Sequence, residues 1–315
     1  MKITYKKAGI VACSNGQKVT SAEQIKALEN TLLQIGLVPV CSSCIYEKES
    51  IFSGTAKERA NALMEFYKDE EIVEIFDISG GDVANGILPY LDYAQIAKSN
   101  ARFWGYSDLT TVLNAIYAKT GKSSVLYQIR NVLYQHKEKQ LADFSNAMSK
   151  TASESISKSI LKAVPESISK TMPESMSEAG DNLFQISYRF VQGEEMQGVV
   201  IGGNIRCFLK LTGTEYMPDF TGKILLLESF SGTVGKMETY LCQLQQLGAL
   251  EKVVGILLGT FTEMEEKQCE PTIETLVKRI VGETLPIAVT REIGHGTDAK
   301  AIEIGKEYCF FKIPY

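Results

Sequence analysis

Short apolar runs alternate with amphipathic stretches through the first half of the chain. "AGIVACS" (8–14) reads as a buried strand, and residues 21–36 place apolar side chains three and four apart, a helix opened by Ser21 and closed by Gly36. "LVPVCS" is a second strand and "TAKERANALMEFYKDE" a second helix. "IVEIFDISGG" gives a third strand ending in a glycine pair, "ARFWGYS" a fourth, and "LTTVLNAIYAKTG" its helix. Strands this short and this apolar, each followed by a helix, predict an open, mostly parallel sheet covered on both faces. In such sheets ligands bind beyond the carboxyl ends of the strands, where "SGGD" and "GYSD" both fall.

The texture changes near residue 150. "SESISKSILKAVPESISKTMPESMSEAG" repeats a serine-flanked apolar unit, with Ile156, Ile160, Val164, Ile168, Met172 and Met176 four apart and Pro165 and Pro173 interrupting. Helical segments with one apolar stripe and a solvated interdomain linker both fit that pattern. Beyond it, "VVIGGNI", "GKILLLESF" and "KVVGILLGTFT" read as strands, "VGKMETYLCQLQQLGAL" and "TIETLVKRIVGE" as helices, and short strands follow around "IGHGTD" and "AIEIGKEYCFFKI". The expected division is an N-terminal α/β domain over 1–148, an insert or linker over 149–180, and a strand-richer C-terminal α/β domain over 181–315.

Composition narrows the partners. The formal net charge of −5 offers no basic excess to neutralise phosphates, which argues against nucleic acid. No apolar run approaches the roughly 18 residues of a membrane span, and the N-terminal stretch "MKITYKKAGIVACSNG" reads as a first strand rather than a signal peptide. Seven scattered cysteines fit reduced thiols in a cytoplasm better than a disulfide framework. Cys41 and Cys44 form the one C-x-x-C pair, without a second pair to complete a zinc site, so small buried strand-end residues are expected there and no metal or cofactor.

The chain has two histidines. His136 lies among charged residues of a predicted helix and reads as solvated, whereas His295 is flanked by Gly294 and Gly296, which let backbone and ligand approach closely. Ser107 follows a strand and precedes a helix, a position that favours a developing anion and equally suits a capping serine. The G-x-S-x-G elbow is half matched, since Leu109 stands where the second glycine would be. Glu228 ends the run "KILLLE", where a carboxylate needs a partner: a histidine to orient, or a lysine. The Gly80–Gly81 pair offers a second backbone N–H to join that of Asp108 around an oxyanion.

Taken in order, "ISGGDVANGILPYLDY", "FWGYSDLTTVLNAIY", "VVIGGNI", "LLLESF", "CQLQQLGALEKVVGILLGTF" and "IGHGTDAKAIEIG" resemble the serine LD-carboxypeptidase family, which includes muramoyl-tetrapeptide carboxypeptidases and microcin C immunity peptidases. The resemblance implies a triad of Ser107, His295 and Glu228 and release of a terminal D-amino acid from cytoplasmic muropeptides; in the mechanism expected here the backbone N–H groups of Asp108 and Gly81 hold the oxyanion. It further implies a homodimer. The chain departs from the family at Ser229, at "LYQIRNVLY" after the fourth strand and at Glu303, so substrate identity stays open between a muropeptide and an aminoacyl-adenylate analogue. Trp104 would serve the latter as an aromatic platform, though a strand tryptophan is ordinarily core. Arg130 or Arg206 could receive a terminal carboxylate. A non-catalytic binding protein on the same scaffold is the remaining alternative.

Overall fold

The computed structural model describes residues 6–157 and 183–312, with side chains over 6–148 and 183–312. Apart from the helix backbone up to Ser157, the Ser-rich stretch expected at 149–180 lies outside the described residues. The N-terminal half supplies strands β1 (Lys6–Val11), β2 (Leu37–Cys41), β3 (Ile72–Asp77), β4 (Arg102–Gly105) and β5 (Ser124–Leu126). Between and after them run α1 (Ala22–Gln34), α2 (Ala56–Lys68), α3 (Tyr93–Lys98), α4 (Thr110–Thr120) and α5 (Lys137–Ser157). All five strands pair in parallel in the order β5-β4-β3-β1-β2, so the winding reverses between β1 and β3, the place where open α/β sheets bind ligands.

The C-terminal half gives β6 (Arg189–Gln192), β7 (Glu195–Asn204), β8 (Lys223–Ser229), β9 (Gly255–Phe261), β10 (Ile287–Val289), β11 (Ile302–Ile304) and β12 (Glu307–Phe311). Its helices are α6 (Ile205–Leu209), α7 (Val234–Gln246), α8 (Thr262–Glu266) and α9 (Ile273–Val281). A second sheet forms in the order β12-β7-β8-β9-β10-β6, parallel over β7–β10 and antiparallel at both edges. The fold is therefore two α/β domains, as the alternating pattern predicts. Two details differ from the sequence reading. Residues 291–300, around "IGHGTD", form a loop rather than strand, and β11 leaves the second sheet to pair antiparallel with β5 of the first.

Packing explains how the two sheets meet. Phe76, Trp104, Tyr127 and Phe144 make one aromatic core, with Trp104 packed 5.5 Å from Phe144 and 5.6 Å from Phe76. Its Nε1 donates to Glu74 Oε2 at 2.6 Å, which satisfies the one polar atom of a fully buried indole. Trp104 is thus core, not the aromatic platform considered from the sequence. Between domains, the buried Asn114 side chain of α4 imitates a neighbouring strand. Its Nδ2 donates to the Gly202 carbonyl at 2.8 Å and its Oδ1 accepts from the Gly202 N–H at 2.9 Å. At Gly203 a Cβ would stand 2.9 Å from Thr110 Oγ1, so the "GGN" stretch is glycine where α4 lies against β7.

Candidate functional site

Ser107 sits just past the end of β4, in a short 3-10 turn (Ser107–Leu109) that leads into α4. Its φ of +56° is left-handed, a conformation that costs a non-glycine residue roughly 1–2 kcal/mol. Such strain persists only where surrounding packing enforces it. The expectation that this serine also caps the helix is corrected: no side-chain capping bond forms there. Ser21, the expected opener of α1, makes none either, because a 3-10 turn (Val19–Ser21) already leads into that helix.

Glu228 lies at the end of β8 and is fully buried; His295 lies on the 291–300 loop. His295 Nδ1 stands 2.8 Å from Glu228 Oε2. The loop is seated by its glycines: a Cβ on Gly294 would fall 1.7 Å from Thr260 Oγ1, so no other residue fits beneath the histidine. Asn131 Nδ2 and Gln140 Nε2, from the N-terminal domain, donate to the carbonyls of Gly296 and Ala299 at 3.4 and 3.1 Å. The loop is therefore held from both domains.

Tyr106, the residue before the serine, completes the arrangement and was not singled out from the sequence. Its hydroxyl lies 3.2 Å from Glu228 Oε2 and 3.0 Å from His295 Nδ1, with the two rings edge-on at 4.6 Å. Burial, then the charge and hydrogen bond of Glu228, push the Tyr106 hydroxyl well above its ordinary range. It therefore stays protonated and donates to the carboxylate. That leaves the Nδ1–H of His295 to donate to Glu228 and fixes the tautomer in which Nε2 accepts a proton. A tyrosine at the end of a buried strand patterns as core, so periodicity carries no signal for this role.

Ser107, Tyr106 and His295 line one cleft of about 220 Å³, together with Ser79, Gly80 and Arg130. Ser107 and His295 come from different domains and meet here, although no hydrogen bond joins them among the described residues. Catalytic hydrogen bonds are often long in a free enzyme and tighten with substrate. Gly80 borders the cleft; Gly81 lies one residue on, its carbonyl accepting from Arg206 Nη2 at 3.2 Å. The backbone N–H of Asp108 belongs to the first turn, where helix N–H groups lack intrahelical partners. The Asp108 side chain is a buried hub that accepts from Ser14 Oγ at 2.6 Å, Ala84 N at 2.8 Å and Lys210 Nζ at 2.6 Å. These bonds tie the serine turn to the loops after β1 and β3 and to the helix after β7.

The other sequence candidates resolve plainly. Arg206 pairs with Asp82, whereas Arg130 has no carboxylate partner among the described residues. His136 is exposed, in a turn just before α5 rather than on a helix. Cys41 and Cys44 are both free; Cys44 is buried as expected, whereas Cys41, at the end of an edge strand, is exposed, its thiol pushed up to about 12 by partial desolvation and by its hydrogen bond to Glu29. Phe230, 57% exposed, lies 4.9 Å from the His295 ring. A larger cavity of about 510 Å³ lies among Tyr188, Phe261, Met264 and Ile273, and none of Ser107, Glu228 or His295 lines it. No helix among the described residues is long and apolar enough to cross a membrane.

Comparison with known proteins gives the family. The family model described as the LD-carboxypeptidase N-terminal domain matches residues 8–128, and the LD-carboxypeptidase C-terminal domain matches residues 197–310. The murein tetrapeptide carboxypeptidase of Pseudomonas aeruginosa is 23% identical over 263 residues, covering 81% of this chain and 77% of that protein. The microcin C7 self-immunity protein of Escherichia coli is 30% identical over 219 residues, 66% of this chain and 61% of its own. Among solved structures, the muramoyltetrapeptide carboxypeptidase from Oxalobacter formigenes superimposes with a TM-score of 0.71 at 20% identity, covering 98% of this chain and 96% of that one. With both domain models matched in order across most of its length, the chain belongs to the LD-carboxypeptidase family.

Proposed function

We propose that this protein is a serine LD-carboxypeptidase that releases the terminal D-amino acid of a muropeptide through an acyl-enzyme. The observation that carries the reading is that His295, 2.8 Å from the fully buried Glu228, lines the same cleft as a serine held at φ +56°. In this reading His295 Nε2 takes the Ser107 proton as Oγ attacks the scissile carbonyl, and Glu228 stabilises the imidazolium. The N–H groups of Asp108 and Gly81 receive the oxyanion, His295 protonates the leaving amine, and water then hydrolyses the ester. A cytoplasmic homodimer acting on a small peptidoglycan fragment belongs to the same proposal.

The test is D-alanine release from a murein tetrapeptide by the native protein, Ser107→Ala and His295→Ala, with chelator present throughout. Release by the native protein and its loss by at least about 10³-fold in both variants is expected. Release that survives Ser107→Ala refutes the nucleophile. No release from the tetrapeptide by the native protein removes the muropeptide, and hydrolysis of an aminoacyl sulfamoyl adenosine by the same residues would then assign the immunity-type activity. The buried Trp104 withdraws the feature that favoured that second reading.

A further inference from the structure

We propose that Arg130 is the anion anchor of the cleft and binds the terminal carboxylate of the substrate, an assignment that rests on the peptidase reading above. Arg130 stands in the 3-10 turn (Ile129–Leu133) after β5, at the same sheet edge as Ser107. It lines the cleft that holds Ser107 and His295. Its Nη1 donates to Gln17 Oε1 at 3.0 Å, and Gln17 is itself fixed, its Nε2 donating to the Ile78 carbonyl at 3.1 Å. The Arg130 Nε is buried and has no hydrogen-bond partner among the described residues.

A buried donor left unpaired costs about 1–3 kcal/mol, more for a charged group, so a guanidinium in this state favours an acceptor brought by a ligand. The remaining cations near the cleft are engaged. Lys300 Nζ donates to the Gln185 carbonyl at 2.7 Å and lies 3.4 Å from Glu292, and Arg206 is paired with Asp82. The planar guanidinium fork matches a carboxylate in two parallel hydrogen bonds, which a lysine cannot reproduce. The next residue, Asn131, bonds the loop that carries His295, so anchor and base are held at a set separation. About 220 Å³ is below the usual range of drug-sized pockets, a space for a chain end rather than a long peptide. A carboxylate held here makes the enzyme cut at the last bond only.

The experiment compares a tetrapeptide with its C-terminal carboxamide on the native protein, Arg130→Ala and Arg130→Lys. The native protein is expected to prefer the acid by about 10–100-fold in kcat/KM, expressed mainly in KM. Arg130→Ala should bring acid and amide to within about threefold of each other, and Arg130→Lys should restore part of the preference. An undiminished preference in Arg130→Ala overturns the assignment. The same peptides are titrated calorimetrically into Ser107→Ala, with and without Arg130→Ala, which reads the anchor even if no turnover occurs. There, tighter binding of the acid only while Arg130 is present supports the anchor. Equal binding of acid and amide, or no measurable binding of either, overturns it. Arg130-dependent binding of an aminoacyl sulfamoyl adenosine without an acid preference would transfer the role to a sulfamate anion and overturn the carboxylate.

Discussion

At the scale of single residues, the candidate site joins Tyr106 to the three side chains that polarity and position single out. Ser107 follows a strand, His295 is bracketed by glycines, and Glu228 is a charge at the end of an apolar run; each is anomalous in its local pattern. Tyr106 is not anomalous, yet its hydroxyl contacts both members of the Glu228–His295 pair from the residue adjoining the serine. In the proposed mechanism it is a positioning residue. Tyr106→Phe should lower kcat about 10-fold with KM little changed. A merely structural role would instead lower thermal stability and leave kcat of the folded protein unchanged.

At the scale of elements, most of the fold is legible because period and punctuation agree. The capping box of Thr55 and Glu58 opens α2, and Gly121, left-handed at φ +71°, closes α4. What the pattern cannot reveal is pairing between distant segments. β11 is three residues, Ile-Glu-Ile, that would fit either sheet edge, and only the position of the 291–300 loop delivers it to β5. Asn114 is equally silent: an asparagine in a helix reads as a solvated position, whereas here it is buried and serves both backbone groups of Gly202. Asn114→Ala leaves an N–H and a carbonyl unpaired at the domain contact and should cost about 2–4 kcal/mol, read as a lower urea midpoint with unchanged slope. A loss under about 0.5 kcal/mol would show that this contact does not hold the domains together.

At the scale of the whole molecule, the cleft exists because two separately wound sheets are cross-linked. The first sheet presents Ser107 and Arg130 at its carboxyl edge, while the second contributes Glu228 at the end of β8 and His295 on the loop that follows β10. The strand after that loop then enters the first sheet, so the histidine is suspended between two anchored elements. In the proposed mechanism neither domain alone contains the nucleophile with its base. That dependence makes covalent capture the most direct test of the central claim. Native protein mixed with a tetrapeptide, quenched in acid within the first turnover and digested, should carry the acyl mass on the peptide containing Ser107. His295→Ala should accumulate no such adduct. Rapid turnover with no adduct on any residue in the burst, or an acyl mass on a cysteine, would contradict the account.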